Sequence, residues 1–168
     1  MLLVLQVLAV LLISVAFGLA LAHALEMPGK RRLNEEVYLA AQTIYYPGFT
    51  IGGAAEPLSI IATLVLLLVT PARTLASWLI LTALITVSAM QVVFWIVTQP
   101  VNRYWLKRQQ LKGLGAKFFS LDAQKRQGQT EDEMQDWKAM RDRWEYSHLL
   151  RAVFSAIALI SLLIAIAS

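Results

Sequence analysis

Two pairs of a histidine and a glutamate, with three residues' spacing in each pair, are the groups in this sequence best suited to chemistry. They are His23 with Glu26, and Glu145 with His148. Residues three apart share a helix face, so each pair can offer one nitrogen and one oxygen to the same site. Helical bundles that bind iron or manganese use such pairs together with further glutamates. The sequence therefore predicts a metal site at His23, Glu26, Glu56, Glu145 and His148, with non-haem iron as the candidate ion.

The same residues allow two other interpretations. His23 and His148 could be the axial ligands of a haem held between the first and last apolar segments. Alternatively, both pairs could be polar groups at a membrane interface, where the glutamates bind neighbouring arginines. The glutamates fit the metal and interface interpretations, whereas a haem would not use them.

A polar stripe on the last apolar segment adds a second candidate for chemistry. Trp144, His148, Arg151 and Ser155 recur at the spacing of one helix face. Arg151 could extend to lipid headgroups, or it could lie inside the bundle and bind Glu56 or an anionic substrate while His148 transfers a proton. On the third segment a polar row is expected to face neighbouring helices; its members are Gln91, Thr98 and Asn102.

Apolar helices are the elements that must position these residues. Hydrophobic residues make up 58% of the 168-residue chain, more than in an ordinary soluble domain. The apolar segments are close to the roughly 20 residues that a helix needs to cross a lipid bilayer. The predicted fold class is all-α: a polytopic four-transmembrane-helix bundle in a single integral membrane domain, residues 1–168, with spans at about 2–25, 49–70, 74–101 and 146–168.

The connections between these spans are predicted to be partly helical. Pro28 and Gly29 are expected to end the first helix. An amphipathic interfacial helix is predicted at about 34–46, with Asn34 as its N-cap, lying on the membrane or capping the bundle. A break is expected at the start of the second span, where glycines and a proline flank Glu56. Residues 102–145 are predicted to form a loop and a helical extension, in which span three continues to about 111 and a new helix begins at Thr130.

The distribution of positive charge predicts an orientation. Of the 15 Lys and Arg residues, all but Arg73 fall on one side of the implied membrane. The positive-inside tendency makes this side cytoplasmic, with residues 26–48 and 102–145 inside and both termini outside. These charges favour lipid headgroups as their partner, and no nucleic-acid motif accompanies them. The absence of cysteine excludes thiolate ligands and nucleophiles.

Four sequence patterns resemble a family of small four-span membrane proteins that includes the fungal anthrone oxygenases. The resemblance covers nearly the whole chain and implies an oxygenase-type oxidation of a polycyclic phenolic substrate, with Asn102, His148 and Arg151 at the site. The first pattern is similar to a bacterial branch, which implies the bacterial inner (plasma) membrane. The patterns are His23-Ala-Leu-Glu26-Met-Pro28-Gly-Lys30, Tyr38-x3-Gln42-x2-Tyr45-Tyr46, Asn102-x2-Trp105 and Trp144-Glu-Tyr-Ser-His148-x2-Arg151.

The resulting hypothesis is an integral membrane oxidoreductase that binds a small hydrophobic substrate between its helices near the cytoplasmic face. Its predicted catalytic residues are His148, Arg151 and Asn102. The alternatives are a non-catalytic membrane protein, such as an assembly partner or small-ligand carrier, and a haem-binding protein that uses His23 and His148. The oxidoreductase hypothesis requires residues that are distant in sequence to gather at one end of the bundle.

Overall fold

The computed structural model describes residues 2–45, 47–108 and 137–168. The predicted helix start at Thr130 and most of the predicted loop lie outside the described residues. Within the described ranges the chain is helical and contains no strand. In chain order the helices are α1 (Leu2–Lys30), α2 (Glu35–Gln42), α3 (Gly48–Gly52), α4 (Ala55–Val69), α5 (Leu75–Val93), α6 (Gln99–Arg108) and α7 (Trp137–Ala167).

Four helical stretches of this chain are long and apolar enough to cross a membrane. They are α1, α3 with α4, α5 with α6, and α7. The prediction of an all-α polytopic bundle is therefore confirmed. One end of the bundle is called the basic end below, because it carries Lys30, Arg31, Arg32 and Arg103.

The half of the bundle away from the basic end is closely packed and apolar. Small side chains such as Ala9, Ala83 and Ala158 are completely buried there. Small residues let helix backbones approach closely. Within a bilayer the hydrophobic effect does not drive helices together, so close van der Waals packing of this kind holds them instead. Large aliphatic residues face outward instead, as the 69% exposure of Leu3 and the 75% exposure of Leu68 illustrate. The space between the helices is therefore concentrated towards the basic end.

Helix α1 does not end at Pro28 and Gly29, so that prediction is wrong. It continues to Lys30, and the backbone N–H of Arg31 still bonds the Met27 carbonyl at 3.0 Å. A proline removes one helical hydrogen bond but does not forbid a further turn. Contacts of the buried Lys30 ammonium with carboxylates of the bundle favour that turn.

Helix α2 folds over the basic end of the bundle. Its N-cap is Asn34, as predicted, because the Asn34 side chain accepts a hydrogen bond from the Val37 N–H at 2.9 Å. Tyr38 is fully buried and packs with Trp105 and Trp144. Of the two placements open from the sequence, the helix takes the one that caps the bundle.

The predicted break at the start of the second span is present between α3 and α4. At this break α3 lies so close to α1 that a Cβ on Gly52 would be 2.7 Å from Leu19 Cδ1. Glycine therefore permits the close approach. Glu56 lies in the first turn of α4 and is 6% exposed.

A single wide π turn at Phe94–Thr98 joins α5 to α6. The Gln99 N–H bonds the Phe94 carbonyl, five residues back. Pro100 has no N–H to offer the Ile96 carbonyl, which accepts from Arg143 Nη2 at 3.5 Å instead. The extra residue in this turn rotates α6 relative to α5. Polar residues before and after the turn therefore reach different neighbouring helices.

Candidate functional site

A cavity of about 540 Å³ lies between the helices towards the basic end. This volume is within the range of small-molecule sites, which is about 300–1,000 Å³. Its aromatic wall contains Tyr45, Phe49, Phe94, Trp95, Trp105 and Trp144. Its polar groups include His23, Glu56, Gln91, Asn102, His148 and Arg151.

The two histidines meet across the cavity wall. Their ring centroids are 4.3 Å apart with an edge-to-face arrangement, and the Trp144 ring lies 4.8 Å from His23 and 4.0 Å from His148. Helix α1 supplies His23, whereas helix α7 supplies His148. The predicted gathering of the first and last apolar segments at one level is therefore present.

A backbone hydrogen bond fixes the tautomer of His148. Its Nδ1 is 2.9 Å from the Trp144 carbonyl oxygen, and a carbonyl can only accept. Nδ1 therefore carries the proton, which leaves the lone pair on Nε2. His148 is 4% exposed, so this nitrogen belongs to a buried imidazole in the cavity wall and can accept a proton from a ligand.

His23 has a different environment. Its Nδ1 makes no hydrogen bond within the described residues and lies 3.9 Å from Glu26 Oε2. Tyr45 and Phe49 pack on its ring at centroid distances of 4.4 and 4.6 Å. His23 is thus held by aromatic contacts and retains an unused polar atom.

Arg151 and Glu56 form a buried ion pair between α7 and α4, at 5% and 6% exposure. Arg151 Nη2 donates to Glu56 Oε1, and the guanidinium lies 5.3 Å from the centre of the Phe94 ring. Its Nε makes no hydrogen bond within the described residues. Because an arginine has five N–H donors, this buried cation keeps donor capacity for a ligand in the cavity.

Gln91 connects this ion pair to the aromatic wall. With its amide oriented to match its neighbours, Gln91 donates to Glu56 Oε2 at 3.2 Å and accepts from Trp95 Nε1 at 3.0 Å. Beyond the π turn, Asn102 Oδ1 accepts from Trp144 Nε1 at 2.7 Å. The two amides of the predicted polar row therefore hold two tryptophans of the cavity.

A cluster of two carboxylates, a lysine and two tyrosines closes the basic end above the cavity. Lys30 Nζ lies 3.4 Å from Glu26 Oε2 and 3.2 Å from Glu145 Oε1. Tyr38 donates to Glu145 at 2.9 Å, and Tyr45 donates to Glu26 at 2.5 Å. The chain from α2 to Tyr45 is therefore fixed to α7 by one tyrosine and to α1 by the other.

Both phenols stay protonated in this cluster. Burial, followed by the neighbouring Glu145 carboxylate, raises the pKa of Tyr38 above its ordinary value. Burial, followed by the hydrogen bond to Glu26, raises the pKa of Tyr45 in the same direction. Each phenol is therefore a hydrogen-bond donor to its glutamate at neutral pH.

Substitution of the two tyrosines by phenylalanine is expected to have unequal effects. Tyr38→Phe removes the phenol donor of the completely buried Glu145 carboxylate and leaves Lys30 as its ion-pair partner, at a cost of about 1–3 kcal/mol of unfolding free energy. Tyr45→Phe acts on Glu26, whose side chain is 45% exposed, so water replaces the lost donor and the cost is smaller. Thermal unfolding in one detergent compares the pair. Equal losses would contradict the assignment of Tyr38 as the main anchor of α2.

The predicted metal ligands do not gather around one point. Lys30 and a tyrosine each contact Glu26 and Glu145, whereas Glu56 binds Arg151. Among the described residues, no group of three or more His, Asp or Glu side chains could hold a metal ion. This arrangement does not fit a shared ion. The metal-ligand assignment gains no support from it and stays a prediction, and no step below uses a metal.

The haem alternative meets a steric obstacle. The His23 and His148 rings are in contact, at the 4.3 Å centroid separation given above. An iron porphyrin with two axial imidazoles lies between them, and no macrocycle fits between rings that touch. The two histidines would have to separate before they could bind a haem in this way.

Seven residues were predicted from the sequence as metal ligands or catalytic residues. Five of them line the cavity, whereas Glu26 and Glu145 belong to the cluster above it. The role of Lys30 was missed, because it was assigned to membrane orientation. Its spacing of four residues from Glu26 was the available signal, since residues four apart are neighbours on a helix. No signal in the sequence indicated that Phe94 and Trp95 belong to the aromatic wall, because aromatic residues near a membrane surface are common.

The fold and the cavity define an integral membrane protein with a buried, ligand-sized site. The chain belongs to the anthrone oxygenase family, whose model matches residues 42–161. The family resemblance seen in the sequence is thus confirmed. The matched segment includes Glu56, Asn102, His148 and Arg151 but begins after His23 and Glu26. No curated protein and no solved structure matches the chain.

Proposed function

We propose that this chain is a membrane oxidoreductase of the oxygenase type, which uses dioxygen to oxidise a small, flat, hydrophobic substrate in the cavity. The observation that carries the proposal is the placement of His148 and Arg151, both buried, on an aromatic-walled cavity of ligand size. Membership of the anthrone oxygenase family supports the reaction type. The substrate class is a polycyclic ketone or phenol with an acidic CH2 group between aromatic rings, as in an anthrone.

The first step is removal of a proton from the CH2 group. His148 Nε2 accepts this proton, and the electron pair of the C–H bond spreads over the rings to the ketone oxygen. The product is a phenolate-like anion. The unused donors of Arg151 stabilise the negative charge on that oxygen, which is an electrostatic role that gains strength in a buried site.

The anion then reduces dioxygen. It passes one electron to O2, and the two radicals combine to form a C–O bond, after which the peroxide takes up the proton held by His148. Removal of the remaining proton from the same carbon breaks the O–O bond and releases water. In total the CH2 group and O2 become C=O and H2O, so the four electrons lost by carbon reduce both oxygen atoms and no other reductant is needed.

Asn102 and the aromatic wall position the substrate. Asn102 holds the Trp144 indole through its carbonyl oxygen, and Trp144 in turn contacts both histidine rings. A flat substrate can stack on this wall, which limits its rotation. Such restriction accelerates a reaction by keeping the CH2 group near the base.

The basic end is proposed to face the cytoplasm, with both termini on the opposite side. The support is the distribution of Lys and Arg: among those in residues 2–45, 47–108 and 137–168, only Arg73 lies at the other end. The inner membrane of a bacterium is the proposed location. Labelling of single cysteines at Ser168 and Arg32 in intact cells with a membrane-impermeant maleimide tests the orientation, since only Ser168→Cys is expected to react.

Oxygen uptake by the purified protein tests the proposed function. Proteoliposomes given anthrone are expected to consume one O2 per anthrone and to form anthraquinone faster than empty vesicles do. Iron analysis of the same sample distinguishes a metal-free site that transfers protons from the iron site predicted from the sequence. Turnover without iron supports the proton-transfer chemistry above, whereas turnover that requires one iron per chain would contradict it and support the ligand prediction. Binding without oxygen uptake would overturn the oxidoreductase proposal in favour of a ligand carrier.

A further inference from the structure

The cavity reaches the outer surface along one side of the bundle. Of the residues that line it, Ala54, Pro57 and Trp95 are the ones that are also exposed. Trp95 is 57% exposed. Pro57 and Ala54 lie at the start of the second span, and Trp95 lies in the π turn of the third. Gln91 joins the two sides, because it bonds both Glu56 and Trp95.

In the part of the chain that the structure describes, other directions out of the cavity are more closed. Towards the basic end, Tyr38 and Tyr45 fasten the chain above the cavity to Glu145 and Glu26. Beneath this cover Trp144 is 4% exposed. Towards α1, Gly52 approaches the Leu19 side chain so closely that a Cβ on Gly52 would require the Leu19 methyl group to shift. The opening between Ala54 and Pro57 on one side and Trp95 on the other, called the gap below, is therefore the exposed rim of the cavity.

This gap lies at hydrocarbon depth. Counted from Val69 at 1.5 Å per residue, Pro57 is about 18 Å and Ala54 about 22 Å along the span. The hydrocarbon core is about 30 Å thick. The exposed rim residues are apolar or, in Trp95, amphipathic. We therefore expect acyl chains to contact the Ala54 and Pro57 side of the gap, whereas Trp95, about 30 Å along its own span from Leu75, lies where the hydrocarbon meets the headgroups.

The backbone on both sides of the gap is irregular. One side is the break between α3 and α4, and the other is the π turn at Phe94–Thr98. Irregular backbone at membrane depth is tolerated where it lines a cavity, and π turns often occur at functional sites. Neither side is therefore an uninterrupted helix, and the Trp95 indole lies over the gap with its N–H on Gln91.

We propose that this gap is a lateral portal, through which a flat hydrophobic molecule dissolved in the bilayer enters the cavity. Trp95 is the movable side chain of the portal, and the Glu56–Arg151 pair directly behind it provides the first polar contact. The portal depends on the proposed class of ligand but not on its oxidation. It adds a route of supply, in which the lipid phase concentrates the ligand before it binds.

Single cysteines test the portal, because the natural chain contains none. Ala54→Cys is modified with benzyl methanethiosulfonate, which a reducing agent later removes. The probe is anthracene in phosphatidylcholine vesicles, and its uptake is followed by energy transfer from the protein tryptophans. We expect the adduct to slow uptake at least 10-fold and its removal to restore the rate. Ile61→Cys, on a lipid-facing position of α4 with 58% exposure, is the matched control and is expected to have no effect.

The adduct at Ala54→Cys could also slow uptake by occupying the cavity instead of blocking the gap, and a second variant distinguishes these two causes. Trp95→Ala removes the cover without adding bulk, and it is expected to speed uptake several-fold. An unchanged rate in Trp95→Ala, or slowing by an adduct at Gln42→Cys on the basic-end wall but not at Ala54→Cys, would overturn the portal alone. Failure of the unmodified protein to take up anthracene at all would also overturn the proposed ligand class. No outcome depends on oxygen chemistry.

Discussion

Replacement of Arg151 by methionine is expected to remove turnover and to destabilise the bundle at the same time. The buried Glu56 carboxylate loses its cation, and breaking a buried ion pair by removing one partner costs about 3–5 kcal/mol. In the proposed reaction the substrate oxygen also loses its main source of positive charge. Loss of one such donor lowers kcat by about 10²–10³. Oxygen uptake and thermal unfolding of the same preparation measure the two effects.

The two effects can be separated by a second substitution. In Arg151→Met/Glu56→Gln no unpaired charge remains, so the unfolding temperature is expected to recover while turnover stays low. Lys138→Met is the matched control, because Lys138 is an exposed cation of the same helix that does not line the cavity. Recovery of turnover together with stability would show that Arg151 acts only through packing, and the proposed anion-stabilising role would be lost.

Replacement of His148 by alanine is expected to lower kcat by about 10²–10⁴, the usual contribution of a positioned general base. The histidine is buried and its proton-accepting nitrogen is defined by the bond from Nδ1 to the Trp144 carbonyl. The cavity left by the ring can admit free imidazole. Added imidazole is therefore expected to restore part of the turnover in His148→Ala and to leave the natural protein unaffected.

Restoration by imidazole distinguishes a base from a structural residue. A side chain that only supports the fold would not be replaced by a soluble molecule in a manner that depends on imidazole protonation. The rate of the rescued variant should thus rise with pH through the pKa of imidazole. Ser161→Ala, a buried substitution further along α7, serves as the control. A rescue that shows no pH dependence would argue against proton transfer at this position.

Much of the architecture follows from patterns that act over a single helix. Apolar length predicts the four membrane-length helices, and asparagine at position 34 predicts the cap of α2. The meeting of His23 with His148 follows from the same reasoning, since alternating spans bring the end of the first beside the start of the last. Such properties depend on local chemistry and on the thickness of a bilayer, so they can be predicted from a single sequence.

The partners of the polar groups depend on how helices rotate about their axes, which spacing alone does not determine. Glu145 and His148 share a face by spacing, yet Glu145 contacts Lys30 and Tyr38 while His148 lines the cavity. Arg151 had two interpretations of equal standing, headgroups or Glu56, and the bundle realises the second. The two residues by which α1 continues beyond Pro28 are likewise favoured by tertiary contacts of Lys30.

The π turn at Phe94–Thr98 makes the number of residues in this stretch matter as much as their identity. A π turn is equivalent to one residue inserted into a regular helix, and one residue corresponds to about 100° of rotation. Deletion of Ile96 would restore an ordinary helix and leave Asn102 beside Trp144, because the wide turn already absorbs the extra residue. Straightening the turn with Ile96 retained would instead swing Asn102 away from Trp144, while Gln91 would stay beside Glu56. A straightened turn would therefore keep the ion pair but present a different side of α6 to the ligand, so the phase of a single helix can change one half of the pocket independently of the other.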